Sequence, residues 1–312
     1  MNILNLGSLN IDKTYSVEHY AEAGETIQAK AYGEFCGGKG LNQSIALARA
    51  GAQVFHAGCV GPDGGILLDA LAAAGVRTEL IRESTEPSGH AVIQVNPEGQ
   101  NKITIFGGAN RNVTPAYIDE VLTHFGPGDI LLLQNEISNV PYAIEKGREK
   151  GMTVVFNPSP INGDLERCDL RLVDYLILNE VEGRRLAGTD AEGAEGVVEK
   201  LGVKYPRAIL GLTLGSRGSC YADGKVIFYQ AIFPAKAVDT TGAGDTFTGY
   251  FLAGIAAGRA PAEAMEYAAM ASAISVSRHG AAPGIPNCDE VCLELARWRK
   301  NSENEKGEKK VR

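Results

Sequence analysis

Short apolar runs alternate with amphipathic stretches along most of this chain, and that alternation restricts the folds open to it. "ILNLGS", "QVFHAGCVG", "DILLLQNE", "MTVVFNPSP", "VDYLILNE" and "RAILGLTLG" have the length and near-continuous apolar character of buried strands. Between them, "LNQSIALARAGA", "GGILLDALAAAGV", "VPYAIEKGREKG" and "EVEGRRLAG" carry apolar residues at helical spacing, the first two closing at Gly51 and Gly75. Three more helical patterns end the chain: "TFTGYFLAGIAAG", "PAEAMEYAAMASAISVS" and "CDEVCLELARWRK". Strands and helices in this rhythm predict an α/β fold, a doubly wound and mostly parallel sheet with helices on both faces. Ligands then bind beyond the carboxyl ends of the strands. Two short strands around Asp223-Gly224 read as a hairpin, and "AIFPAKAV" as a further strand feeding a loop.

Two segments break the rhythm. Residues 11–36 and 88–106 alternate in the strand manner without intervening helices, and "NPEGQN" supplies a hairpin turn. They predict a small antiparallel sheet projecting from the main one, either a lid over a pocket or an edge for dimerisation. The domain expectation is one domain over residues 1–300. The charged tail "NSENEKGEKKVR" (301–312) lacks apolar residues and is expected to be disordered.

Charge and cysteine usage exclude several classes. A net charge of −8 gives no basic footprint for nucleic acid or an anionic membrane. No stretch has the uncharged apolar length of a membrane span, and "MNILNLGSLNID" lacks the features of a signal peptide. Cys36, Cys59, Cys168, Cys220, Cys288 and Cys292 are scattered without paired zinc spacing, although Cys288 and Cys292 could share a helix face. The expectation is a cytoplasmic protein with no metal in its own scaffold.

Two glycine-rich helix starts carry the chemistry. In "VDTTGAGDTFTGYFLAG" (238–254) a turn exposes backbone N–H groups and the positive end of a helix dipole, which suits an anion. Asp245 stands directly after Gly-Ala-Gly, where it either caps the helix or serves as a base. The other start, "FCGGKGLNQSIALARAG" (35–51), fits neither a Walker loop nor the dinucleotide fingerprint. Its glycines let backbone approach a ligand closely, while Lys39 and Asn42 offer donors suited to hydroxyl-rich ligands.

"GGKGLNQSIALARAGA" and "DTTGAGDTFTGYFLAG", in this order, resemble the two motifs of the PfkB family of carbohydrate kinases, and within it the ribokinases. The resemblance runs from "GSLNID" through "HGAAPGIP" and implies the ribokinase-like fold. It implies a kinase that moves the γ-phosphoryl group of ATP to a sugar hydroxyl. D-ribose is the favoured acceptor, with fructose, another sugar or a nucleoside left open. By the resemblance Asp245 is the general base, and Gly242, Ala243 and Gly244 form the anion hole. Asn10, Asp12, Gly38, Lys39, Gly40, Asn42 and Glu136 would bind the sugar. Asn179, Thr213, Gly215, Ser216 and Gly218, with Gly244, would bind the nucleotide, and Glu182 would organise Mg2+ through water.

A monovalent cation, usually K+, would sit on the Asp239 side chain and backbone oxygens of Thr241, Ser275, Arg278 and Gly280. Gly284 departs from the serine that often completes this shell, and Ala269 departs from a polar residue near adenine. Clasped lid strands would make a homodimer. The reading from another class is a sugar or nucleotide sensor without catalysis, which a broken anion hole or missing base would mark. A nicotinamide dehydrogenase lacks its phosphate fingerprint here.

Overall fold

A computed structural model describes residues 1–190 and 193–309, the side chains of 302–309 apart. The chain divides into two compact units, one formed by Met1–Ser44 with Gln53–Leu176, the other by Ile45–Ala52 with the chain from Ile177 on.

The first unit holds strands β1 (Ile3–Leu6), β2 (Asn10–Ser16) and β3 (Ala31–Gly37), then the start of helix α1 (Lys39–Arg49). It continues with β4 (Val54–Val60), α2 (Gly65–Ala73), β5 (Arg77–Glu83), β6 (Gly89–Val95), β7 (Asn101–Phe106), α3 (Pro115–Leu122), β8 (Ile130–Gln134), α4 (Val140–Glu149) and β9 (Thr153–Asn157). Strand β10 (Tyr175–Asn179) lies at the division. Pairing within this unit runs β10-β9-β8-β1-β4-β5, all parallel. Every residue of β1 and β8 is buried, as parallel strands covered on both faces require. Helix α3 begins where Thr114 Oγ1 accepts from Tyr117 N at 3.2 Å, with Pro115 in the first turn.

The expected small sheet is present, separate from the parallel one, with strand order β3-β2-β6-β7. The β2–β3 and β6–β7 pairs are antiparallel, and a parallel β2–β6 pairing joins them. That parallel join has a topological reason. β2 and β6 belong to separate excursions of the chain, so no hairpin turn reverses one against the other. One row across the sheet reads Phe35, Asp12, Ala91, Ile105, so Asp12 shares a face with exposed Phe35, Ile103 and Ile105.

The second unit contains α5 (Glu180–Ala187), α6 (Ala194–Lys204), β11 (Ile209–Thr213), β12 (Ser219–Ala222), β13 (Ile227–Gln230), α7 (Ala243–Ala256), α8 (Pro261–Val276), the single turn α9 (Ala281–Gly284) and α10 (Cys288–Lys309). Strands β11, β12 and β13 pair antiparallel, the last two as the expected hairpin. The run "AIFPAKAV" forms no strand: residues 231–238 are irregular, and Pro234 lacks the N–H that a ladder needs. Helix α10 carries on into the charged tail. The expected disorder of 301–312 falls mostly on residues whose side chains, and from 310 whose backbone, lie outside the described residues. Among the described residues no helix is long and apolar enough to cross a membrane.

Candidate active site

In the first unit, the turn between β1 and β2 packs directly on the start of α1. A Cβ on Gly40 would lie 2.3 Å from Ser8 N, so only glycine allows this approach. The first four backbone donors of α1 are all taken within the protein. Lys39 N donates to Glu136 Oε2 at 3.0 Å, Gly40 N to Ser8 Oγ at 3.1 Å, Leu41 N to Ser8 O at 3.0 Å and Asn42 N to Gly38 O at 3.0 Å. Ser8 Oγ in turn donates to Glu136 Oε2 at 2.5 Å. Glu136, arriving just after β8, thus places a carboxylate on the positive end of the α1 dipole. Gly38 takes φ +90°, which suits glycine in this turn.

Asn10, Asp12, Gly38, Lys39, Gly40, Asn42 and Glu136 all belong to this one cluster. Asn10 and Asn42 are buried, while Asp12, Lys39 and Glu136 are half-buried. A Cβ on Gly37 would lie 2.2 Å from Asp12 Oδ2, so the end of β3 cradles that carboxylate. Burial pushes the Asp12 carboxyl up to about 6, and the like charge of Glu136 adds to the rise. Sequence reasoning missed Ser8 and Asn110. Asn110 Nδ2 donates to Asn10 Oδ1 at 2.8 Å, and its Oδ1 accepts from Leu9 N at 3.0 Å. With its oxygen engaged, Asn10 presents its amide N–H groups as donors.

Beneath the cluster runs a buried polar chain. Asn5 Nδ2 donates to Gly40 O and to Ser44 Oγ, both at 2.8 Å. Gln134 Nε2 donates to Asn5 Oδ1 at 3.0 Å and Gln43 Oε1 at 2.8 Å, and Gln43 Nε2 to Asn157 Oδ1 at 3.1 Å. Ser44 Oγ meets His56 Nδ1 at 2.8 Å, and burial holds that imidazole neutral, pushing it down to about 4.

In the second unit the other glycine-rich start is built differently. Gly242, with φ +74°, is the N-cap of α7, and no side chain caps the helix. Asp245 is therefore not the cap. It lies in the first turn and is buried, 7% exposed. Ala243 N reaches Thr240 O at 3.3 Å, whereas the exposed Gly244 N–H has no partner among the described residues. A cavity of about 380 Å³ brings Ala243 and Gly244 together with Thr213, Gly215, Ser216 and Gly218 of the β11–β12 turn, and with Ala269. Gly218, at φ +96°, lies so close to β13 that a Cβ would sit 2.0 Å from Gln230 O. Its walls are otherwise largely apolar, with Phe233, Phe247 and Val276 among them.

Asn179 and Glu182 stand at the start of α5 as a reciprocal capping box. Glu182 N donates to Asn179 Oδ1 at 2.9 Å and Asn179 N to Glu182 Oε2 at 3.0 Å. The cap therefore engages both the side chain and the backbone of each residue. Among the described residues no three His, Cys, Asp or Glu side chains come together as a metal cage. Magnesium held by nucleotide phosphates and water needs none.

The expected monovalent-cation residues form one corner of this unit. Asp239 Oδ1 accepts from Thr241 N at 2.9 Å and Thr241 Oγ1 at 2.6 Å, and its Oδ2 from Gly280 N at 2.9 Å. Burial alone would raise the Asp239 carboxyl, but these bonds outweigh it and hold the carboxyl below its ordinary value. A Cβ on Gly284 would meet Ser275 O at 3.2 Å and Arg278 Cβ at 3.6 Å, so those residues close the other side.

Residues 2–288 match the sequence profile of the pfkB family of carbohydrate kinases. Ribokinase of Haemophilus influenzae is 34% identical over 294 residues, covering 92% of this chain and 95% of that protein. The crystal structure of ribokinase from Thermotoga maritima gives a TM-score of 0.85 at 33% identity, covering 95% of this chain and 98% of that one. Arabidopsis thaliana ribokinase, solved with ribose and ATP, gives 0.83 at 31% identity, covering 94% and 97%.

Proposed function

Because the chain belongs to the pfkB family of carbohydrate kinases, we propose that it transfers the γ-phosphoryl group of ATP to D-ribose, giving ribose 5-phosphate. The observation that carries this reading is the uncapped start of α7, with Asp245 buried in its first turn. A carboxylate at an anion site is electrostatically awkward unless chemistry needs a base there. In this mechanism the Gly242–Ala243–Gly244 turn stabilises charge on the phosphoryl oxygens, and Asp245 takes the proton of the attacking hydroxyl. The first unit binds the sugar: Asp12 and Glu136 accept from hydroxyls, while the side chains of Asn10, Lys39 and Asn42 donate to them.

Nucleotide lies along the Thr213–Gly218 turn, with its phosphates toward Asn179 and Gly244. Bound magnesium supplies charge neutralisation on the phosphates, and Glu182 would hold it through water. K+ would occupy the corner of Asp239, Thr241, Ser275, Arg278 and Gly280. The reading treats residues 1–300 as one kinase domain. It covers the exposed apolar face of the small sheet, with Phe35, Ile103 and Ile105, by a second copy of the chain, which suits strand edges that need covering. Six free thiols fit a reducing compartment, which we assign as the cytoplasm.

The test is a coupled ADP-release assay with magnesium, across D-ribose, D-fructose, 2-deoxyribose, fructose 6-phosphate and adenosine, with and without potassium. A strong preference for ribose is the expected result. Preference for another acceptor keeps the mechanism and removes ribose, whereas silence with every acceptor favours the sensor.

A further inference from the structure

We propose that Arg49 is a positioning residue for phosphoryl transfer, gripping the segment on which the anion turn rests. Arg49 ends α1 and is half-buried. Its Nη1 donates to Ala282 O at 2.9 Å and to Ile285 O at 2.5 Å. Those carbonyls stand at the closing end of α9, where unpaired oxygens favour a cation.

The first residue of that turn meets the anion site. A Cβ on Gly242 would lie 2.8 Å from Ala281 Cβ and 3.1 Å from Ala281 Cα, so the two backbones are in direct contact. One residue earlier, Gly280 N is held by Asp239, whose other oxygen holds Thr241. The segment from 280 to 285 is therefore gripped by Asp239 at one end and Arg49 at the other, with Gly242 resting between. Tyr250 Oη donates to Pro286 O at 2.6 Å, and Arg278 pairs with Glu290, bracing the flanks. An apolar side chain could fill the volume of Arg49 but would leave two backbone carbonyls unpaired. Lysine offers a point charge without the planar fork.

This inference rests on the kinase reading, and its test separates the two. Steady-state kinetics with ribose and ATP are measured for the wild type, Arg49→Ala and Arg49→Lys, well below melting temperatures recorded in parallel. For Arg49→Ala the expected result is a fall in kcat of about 10- to 100-fold, as for small misplacements of catalytic groups. KM for ribose stays unchanged, because the sugar cluster has its own hydrogen bonds. Millimolar guanidinium added to Arg49→Ala restores part of kcat without raising the wild type, and Arg49→Lys falls between. A purely structural role would lower the melting temperature and leave kcat intact, which overturns the proposal. Should Arg49→Ala fail to fold, Arg49→Lys decides: a kcat equal to wild type overturns it, and a reduced kcat at unchanged KM for ribose supports it. A wild type inactive on every acceptor breaks the kinase reading and takes this inference with it.

Discussion

The two glycine-rich helix starts look alike as sequence and are opposite as chemistry. At α1 the first four N–H groups are spent inside the protein, on Glu136, on Ser8 twice and on Gly38. At α7 the cap is a glycine without a capping side chain, and Gly244 keeps an exposed donor. Both helices have a positive end, so the dipole alone does not make an anion site. What differs is whether the protein's own acceptors have already taken the first N–H groups. Glu136 neutralises the first start, where we propose that the surrounding side chains meet a neutral polyol. The second start is where we propose that the phosphoryl group binds.

The strongest way to break this contrast is Asp245→Asn. Turnover should fall by about 10²- to 10⁴-fold while ATP and ribose still bind, checked by coupled assay and calorimetry. Near-normal turnover would remove the base from the α7 start. Gly242→Ala sharpens the same side. A left-handed φ costs an alanine about 1–2 kcal/mol, and Ala281 blocks the added methyl. We expect kcat to drop by about 10- to 100-fold with KM for ribose unchanged. A change confined to KM for ribose would contradict the division of labour.

The α1 side is probed through Asp12. Its carboxyl is raised to about 6, so the acceptor form is lost as pH falls through that value. KM for ribose should rise below about pH 6, and Asp12→Asn should abolish that dependence along with most of the affinity. Stability moves the opposite way. A carboxyl with a raised folded-state pKa binds its proton more tightly when folded, so between its ordinary value and about 6 the protein gains stability as pH falls. Asp12→Asn should accordingly melt higher than wild type at neutral pH. A lower melting point would show that burial is not what perturbs this group. The smallest effect is expected from Ser8→Ala. It leaves Gly40 N–H without its acceptor, costing about 1–3 kcal/mol and a few degrees of melting temperature, with kcat intact.

Much of the architecture was legible because it is written locally. The apolar runs that became β1, β4, β8, β9, β10 and β11 need no partner to be read as buried strands, and the small sheet announced itself by alternation without helices. Helices α3 and α6 escaped notice, as did β5, whose "RTELIRE" is mostly polar. Local pattern does not state which strands pair, so the parallel β2–β6 join came only with the structure. The same limit applies to the site. Asp245 and the glycines carry their own motif, but Asn110 touches Asn10 across 100 residues of chain, and nothing near either residue announces the contact. Reading Asn179 and Glu182 as a helix cap was as accessible from sequence as reading them as a nucleotide site, and the capping box is present.

The polar chain beneath α1 bears on how such an enzyme can change its diet over generations. Asn5, Gln134, Gln43 and Asn157 sit on different elements, with Gln134 donating to both Asn5 and Gln43, and Gln43 to Asn157. One replacement strands a buried partner, so its cost depends on what the neighbours have become. Drift across this layer is therefore slow and must proceed in matched pairs. The outer strands of the small sheet, where Phe35 and Ile105 are exposed, carry no such debt. A lineage acquiring a new acceptor should record its history there first.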